Sequence, residues 1–127
     1  MMDPILHKLE MELPKILWLK EHMEPSLFSR CQFFDLPDFL TYRATGDTTR
    51  SSCSLTCKCS FIPQVGWQAE LMQKIGLSEF VERGYEQIGA APVLTAGLPV
   101  GRGLSERAAE ELGLVEGTPV GSGLVDA

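Results

Sequence analysis

The carboxy-terminal residues GSGLVDA place the strongest constraint on the fold, because they combine flexible glycines with side chains that favour extended backbone. Leu124 and Val125 favour a strand, whereas the two glycines before them allow another backbone or a ligand to come close. Such a strand would hold Asp126 at its carboxyl end, the edge at which open α/β sheets bind ligands. An aspartate here could equally form a turn or cap a helix, and this segment alone favours neither interpretation.

Upstream of this segment, apolar spacing and capping residues predict a mostly helical chain. The first predicted helix begins near Pro14, runs to Met23 and is ended by Pro25. The second is capped by Asp35 and ended by Gly46. Three more are predicted, namely Trp67 to Gly76, a helix capped by Ser78 that reaches Gly89, and Ser105 to Gly113.

Aromatic side chains at helical spacing indicate core positions, since such residues are usually packed inside. We therefore expect Trp18, Phe39 and Trp67 to be buried. Residues 90–103 are rich in proline and glycine, which predicts an irregular connection rather than a regular element.

Size and charge restrict the class of protein. A chain of 127 residues is the size of one domain, and 44% hydrophobic residues with a mean hydropathy of +0.03 are typical of a globular protein. A net charge of −6 argues against nucleic acid or an anionic membrane as a partner. Since the sequence has neither a bilayer-length apolar run nor a signal-peptide pattern, we expect a cytoplasmic protein.

Four cysteines raise the question of a metal site, because three of them lie in CSLTCKC. The spacings of four and two residues between Cys53, Cys57 and Cys59 differ from the paired spacing of structural zinc sites, and both histidines lie far upstream. Reduced thiols that pack as small apolar residues are the favoured interpretation, and no metal is expected.

Nucleotide-binding motifs are incomplete. GLPVGRGLSE lacks the terminal GK[ST] of a P-loop, and its glycines do not complete a dinucleotide fingerprint. The sequence has no GxSxG nucleophile elbow to support a serine hydrolase. Local motifs therefore leave the chemistry open.

The order of several separated segments resembles one known family. These segments are PKILWLKEH, FFDLPDFLTYRATGDTTRSSCSLTCK, GWQAELMQKIGL and GLPVGRGLSERAAEELGLVEGTPVGSGLVDA. Together, residues 10–127 resemble the later part of the amino-terminal domain of FGGY carbohydrate kinases, and within that family the ribulokinase-like branch. Residues 1–9 do not follow the family pattern and form a divergent amino-terminal segment.

The resemblance implies a fold and an activity. The fold would be part of an α/β domain of the ribonuclease H-like (actin-like ATPase) type, mostly helical here with a carboxy-terminal strand. The activity would be transfer of the γ-phosphoryl group of ATP, with Mg²⁺, to a hydroxyl of a sugar or polyol. The ribulokinase-like branch points to a ketopentose such as ribulose as the substrate.

Three site residues follow from the resemblance. Asp126 takes the position of the general base, and Lys58 falls where ribulokinases place a lysine that contacts the ketose. Glu10 is a weaker candidate for substrate binding, near a position that glycerol kinases of the family use. For Lys58 and Glu10 the alternative is an exposed charged residue without a function.

The family pattern also contains a first strand with a phosphate turn and a second domain with the adenosine site, neither of which this sequence includes. We therefore expect the chain alone to be inactive and to bind ATP and Mg²⁺ poorly. Two functions therefore stay open. The chain is part of a catalytic sugar kinase, or it is a non-catalytic form that acts by binding another protein. The expected partners are the other kinase domains or a second copy of the chain.

Overall fold

A computed structural model describes residues 11–125, and in this range seven helices are joined by turns and irregular segments. The helices are α1 (Glu12–His22), α2 (Pro25–Arg30), α3 (Leu36–Thr45), α4 (Ser52–Cys59), α5 (Ala69–Lys74), α6 (Ser78–Glu82) and α7 (Glu106–Leu112). Strand-like pairing in this range is limited to isolated bridges, which join Ser51 to Leu94, Ile62 to Gly66 and Pro99 to Gly121. No helix of the described residues is long and apolar enough to cross a bilayer.

The capping residues of α3 and α7 are where the sequence predicts them. Asp35 precedes α3, and Gly46 ends it in the left-handed conformation with φ of 77°. Before α7, the side-chain oxygen of Ser105 accepts the Ala108 N–H at 3.2 Å, and Gly113 ends the helix with φ of 70°. These boundaries are confirmed because capping depends on a few neighbouring residues.

Other helix boundaries differ from the prediction. Pro25 does not only end α1 but also begins α2, where the missing N–H costs nothing and the Glu24 carboxylate accepts the Leu27 N–H at 3.2 Å. Ser78 is the first residue of α6 rather than its cap, which is Leu77, and the helix stops at Glu82, well before Gly89. Helix α4, over the cysteine-rich segment, was not predicted.

The main core joins the helices α1, α2, α5 and α6. It consists of Leu13, Ile16, Phe28, Met72, Leu77, Phe80 and Ile88, each at most 5% exposed. A second cluster of Leu55, Cys59 and Phe61 lies beneath α4, and a third of Leu104, Ala108 and Ala109 lies at α7. Trp67 is partly buried and packs against the first two clusters, so its predicted burial is confirmed in part.

Two of the aromatic residues predicted in the core are on the surface. Trp18 is 59% exposed and stacks on His22 with ring centroids 4.0 Å apart. Phe39 is 41% exposed on the outer side of α3. Helical spacing groups these residues on a face but does not say whether another element covers that face, and for both residues the prediction was wrong.

The predicted carboxy-terminal strand is not formed within the described residues. Residues 120–122 lie beside residues 97–100, with N–H to O distances of 2.8 Å from Val100 to Val120 and from Ser122 to Leu98. The pairing ends after one antiparallel bridge. Pro99 has no N–H to donate and Gly121 has no side chain to pack, so the ladder does not extend.

Candidate functional site

The first turn of α4 is held by one serine that connects three parts of the chain. The backbone N–H of Ser51 donates to Asp38 Oδ1 in α3 at 2.9 Å. Its hydroxyl donates to the carbonyl oxygen of Gly123 at 2.7 Å and accepts the N–H of Cys53 at 3.2 Å. The carboxy-terminal segment is thereby fixed to the start of α4.

A buried arginine lies directly before this serine. Arg50 is only 2% exposed, its Nη2 donates to the Phe33 carbonyl at 2.9 Å, and its guanidinium lies 3.7 Å from the centre of the Phe34 ring. Burial lowers the pKa of Arg50, while the charges of Asp38 and Glu12 act in the opposite direction. The arginine therefore supplies the positive charge for two buried carboxyl groups.

We use the name polar seam for Asp38, Arg50, Ser51, Ser54 and Gly123. Burial raises the pKa of Asp38, outweighing the Ser51 N–H and the Arg50 charge, which lower it. The Ser54 hydroxyl also lowers this pKa from nearby, but its geometry does not form a hydrogen bond. Among the described residues, Asp38 Oδ2, Arg50 Nε and Ser54 Oγ are buried without a hydrogen-bond partner. Buried polar atoms without a hydrogen-bond partner in the protein cost free energy.

The carboxy-terminal segment follows the seam closely up to its last described residue. Gly123 lies against Pro37, so that a Cβ atom added at position 123 would clash with the proline ring. The backbone N–H of Val125 points at Cys53 Sγ, 3.5 Å away in the first turn of α4. Residues 123–125 are thus held between the starts of α3 and α4.

One of the three predicted site residues lies in the described range. Lys58 is half-buried in the last turn of α4, where a cation is favoured by the helix dipole. It follows Cys53 by five residues, which is about 7.5 Å along the helix axis. Asp126 and Glu10 lie outside the described residues, and their positions are untested. The residue that precedes Asp126 contacts the helix that carries Lys58.

Sequence reasoning missed the residues that build the seam. A serine directly before the cysteine segment was the available signal, since serine is a preferred N-cap. Asp38 and Arg50 gave no local signal, because their partners lie 13 and 17 residues away along the chain.

The end of α4 is joined to α1 by a buried thiol. Cys59 Sγ lies 2.6 Å from Glu12 Oε2. Burial raises the pKa of the Cys59 thiol and also that of Glu12. This thiol is thus a packed hydrogen-bond donor. Within residues 11–125, no three His, Cys, Asp or Glu side chains come together to hold a metal ion.

An aromatic cleft of about 430 Å³ begins beside the first residue of α4. Its wall includes Phe61, Trp67 and Tyr85, and the Trp67 and Tyr85 rings stack with centroids 5.4 Å apart. Ser52 and Thr95 contribute hydroxyl groups. Lys58 is not among the described residues that line it, so the cleft is separate from the predicted sugar contact.

Comparison with known proteins supplies relatives by sequence. The chain is 47% identical over 119 residues to an FGGY carbohydrate kinase domain-containing protein of Danio rerio, a match that covers 93% of this chain and 22% of that protein. It is 44% identical over 129 residues to a D-ribulokinase of Saccharomyces cerevisiae, covering 93% and 18%. The human FGGY carbohydrate kinase domain-containing protein is 45% identical over 119 residues, covering 93% and 21%. No protein-family model matches the chain.

Two solved structures that share this fold are sugar kinases. A gluconate kinase and a xylulose kinase, both from Lactobacillus acidophilus, superpose with TM-scores of 0.68 and 0.67 at 16% identity, each covering 90% of this chain and 22% of the other. This likeness supports the predicted actin-like fold for the matched residues. The chain spans about a fifth of the length of the relatives it matches. Over 93% of its length this stretch of protein is homologous to part of proteins named as FGGY carbohydrate kinases, and it shares its fold with sugar kinases.

Proposed function

We propose that this chain forms the sugar side of the active site of an ATP-dependent carbohydrate kinase, with a ketopentose such as ribulose as the acceptor. The relatives named as FGGY carbohydrate kinases and as a D-ribulokinase support the reaction class. The observation that carries the proposal is the hydrogen bonding of residues 123–125 to the first turn of α4, because α4 also bears Lys58.

In this proposal Asp126 is the general base and Lys58 positions the sugar. The carboxylate orients the attacking hydroxyl and accepts its proton as the new bond to phosphorus forms, a contribution of about 10²- to 10⁴-fold. The ammonium group donates hydrogen bonds to sugar oxygens and stabilises developing negative charge. Glu10 is kept as a third, weaker candidate for sugar binding.

The polar seam acts as the support of this pair. Asp38 fixes the N–H of Ser51, and the hydroxyl of Ser51 fixes the carbonyl of Gly123, three residues before Asp126. A buried hydrogen-bonded support restricts the positions open to a catalytic group, and small displacements of such a group are costly in rate.

ATP and Mg²⁺ would supply the phosphoryl group and the charge neutralisation of the reaction. The described residues do not fit either of them, since no acidic cluster could hold a metal and no complete phosphate-binding loop is present. We therefore assign nucleotide and metal binding to other parts of the kinase.

Binding of ribulose to the 127-residue chain tests the role of Lys58. We expect Lys58→Met to weaken binding by on the order of tenfold, the loss of a charged hydrogen bond. Lys74→Met is the matched control, since Lys74 is an exposed lysine in the last turn of α5. Titration calorimetry measures both. Equal affinities of the two variants, or no binding by the unmodified chain, would contradict the proposed contact.

Catalysis is tested in the full-length gene product that contains this sequence. We expect Asp126→Asn to lower kcat for ATP-dependent phosphorylation of ribulose by about 10²- to 10⁴-fold and to leave the affinity for the sugar nearly unchanged. A variant that keeps its kcat would remove Asp126 from the reaction.

A second function, non-catalytic association with an intact kinase, is favoured by the outer face of α3. Leu36 and Leu40 on this helix are 65% and 56% exposed, beside the exposed Phe39. If association is the function, the chain should co-purify with the full-length kinase, and Leu36→Glu with Leu40→Glu should abolish the complex. Retention of the complex by this double variant would exclude the α3 face.

A further inference from the structure

Cys53 and Cys57 lie one turn apart on α4, between the carboxy-terminal segment and Lys58. Both thiols are half-buried, and they are free, as is Cys31 elsewhere in the chain. Residues four apart in a helix lie on the same face, so the two side chains are neighbours on α4. We propose that Cys53 and Cys57 form a reversible oxidation site, at which a peroxide converts the two thiols into a disulfide.

The two cysteines have different surroundings, which sets the order of the steps. Cys53 is in the first turn of α4, where backbone N–H groups favour negative charge, and its sulfur accepts the N–H of Val125 at 3.5 Å. Burial and then the neighbouring Cys53 raise the pKa of the Cys57 thiol, which makes a thiolate at Cys57 less available. Cys53 is therefore the attacking sulfur and Cys57 the resolving one.

The chemistry balances with hydrogen peroxide as the oxidant. The Cys53 thiolate attacks one peroxide oxygen, the O–O bond breaks, and Cys53 becomes a sulfenic acid while hydroxide takes up a proton and leaves as water. Cys57 then attacks the sulfenic sulfur, the S–O bond breaks, and the thiol proton leaves with the hydroxyl group as a second water. Two electrons pass from the thiols to the peroxide.

The bond would strain α4. Residues four apart in a helix have Cβ atoms about 5–6 Å apart, whereas disulfides need about 3.5–4.5 Å. The start of α4 must therefore distort when the bond forms, and strained disulfides are readily reduced. Reversibility by a thiol reductant follows from this geometry.

Oxidation would also act on the carboxy-terminal segment. In the disulfide the Cys53 sulfur carries no negative charge and moves toward Cys57, so the Val125 N–H loses its acceptor. Val125 directly precedes Asp126. If the proposed function holds, the oxidised protein binds the sugar but positions its base poorly; the thiol chemistry itself does not depend on that function.

Peptide mapping tests the bond directly. Trypsin releases SSCSLTCK between Arg50 and Lys58, which contains both cysteines. After treatment of the folded 127-residue chain with a small excess of peroxide, we expect this peptide to have lost two hydrogens, and dithiothreitol to restore them. A Cys31→Ser variant should behave identically. An unchanged peptide, or faster oxidation of Cys31, would overturn the proposal.

Single variants test the order of attack. In Cys57→Ser, dimedone should trap a sulfenic acid on Cys53, whereas Cys53→Ser should give on the order of tenfold less labelling at Cys57. Equal labelling would refute the assigned roles.

Hydrogen exchange and ribulose binding separate this inference from the proposed function. We expect the Val125 amide to exchange faster after oxidation and to recover on reduction, with no response in the double variant Cys53→Ser/Cys57→Ser. If the disulfide forms but the exchange rate of the Val125 amide does not change, oxidation does not act on the carboxy-terminal segment. If oxidation behaves as expected but neither form binds ribulose, only the proposed function fails.

Discussion

The main core and the polar seam are both buried, but the core consists of apolar side chains and the seam of polar and charged ones. The main core consists of seven apolar side chains, drawn from four helices and from the residues before and after α6. The seam buries an arginine, a carboxyl group and two serines, and three of its polar atoms have no partner among the described residues. Apolar burial stabilises a fold, whereas buried charge costs free energy unless it is fully paired. We infer that the core holds the chain together and that the seam is kept for the geometry it imposes.

The largest effect on stability is expected from substitutions in the main core. Phe80 is fully buried, so Phe80→Ala should lower the free energy of unfolding by about 3–5 kcal/mol through lost burial and a cavity. Phe39→Ala, at a position 41% exposed, should cost far less. Urea unfolding measures the free energy of unfolding of both variants. If Phe80→Ala does not fold, the milder Ile88→Val replaces it in the comparison, and it is expected to cost about 0.5–1.5 kcal/mol.

This experiment also asks whether the two regions are independent. Reaction of Cys53 and Cys57 with a thiol reagent reports on the start of α4. If the core only stabilises, Ile88→Val should leave these rates unchanged in the absence of urea. Altered rates would show that the core also sets the geometry of the seam.

The next largest effect on stability is expected from substitutions of Asp38 in the polar seam. Asp38→Ala removes the acceptor of the buried Ser51 N–H and should cost about 1–3 kcal/mol. Asp38→Asn keeps an oxygen for this N–H and removes the buried charge, so it should cost less. Unfolding by urea ranks the variants, and hydrogen exchange at Ser51 locates the change. An asparagine variant that loses as much stability as the alanine variant would mean that the charge, which both substitutions remove, itself stabilises the seam.

The sequence predicts the two regions unequally. Capping residues such as Ser105 and Gly113 could be predicted from the sequence, because a helix cap depends on residues that are close in the chain. The seam could not be predicted, because the contacts of Asp38 and Arg50 form only when distant segments meet. Trp18 shows a further limit, since spacing identifies a helical face but not the element that covers it. Of the candidate site, the family resemblance gave the proposed residue types, and the structure describes the partly buried contacts that hold residues 123–125.

A smaller effect is expected where the carboxy-terminal segment meets α3. Gly123→Ala places a Cβ atom against Pro37 and should cost about 1 kcal/mol, the low end for overpacking, because an extended segment can move aside. The double variant Gly123→Ala/Pro37→Gly should cost less than the sum of the single changes. Additive costs in urea unfolding would show that the two residues do not contact in solution.

The smallest effect is a dependence on pH that the main core, without ionisable groups, cannot produce. Burial raises the pKa of Glu12 from 4.5, and the Arg50 charge only partly offsets this. A carboxyl group whose folded pKa is raised contributes stability that is present below its unfolded pKa and is lost as the pH rises through the folded pKa. Asp38, raised from 3.8, acts in the same direction. We therefore expect the free energy of unfolding to fall as the pH rises above about 4.5.

Glu12→Gln should flatten this slope, because its amide oxygen still accepts the Cys59 thiol but carries no charge. Asp38→Asn should remove a further part of the dependence on pH. The double variant should show the smallest slope of the free energy of unfolding against pH. Urea unfolding at several pH values between about 5 and 7.5 measures it, a range below the raised pKa of the Cys59 thiol. A slope that neither variant changes would mean that these carboxyl groups are charged in the fold at little cost. Burial of the Asp38 carboxyl group in the seam, and of the Glu12 carboxyl group beside it, would then carry no large cost in free energy.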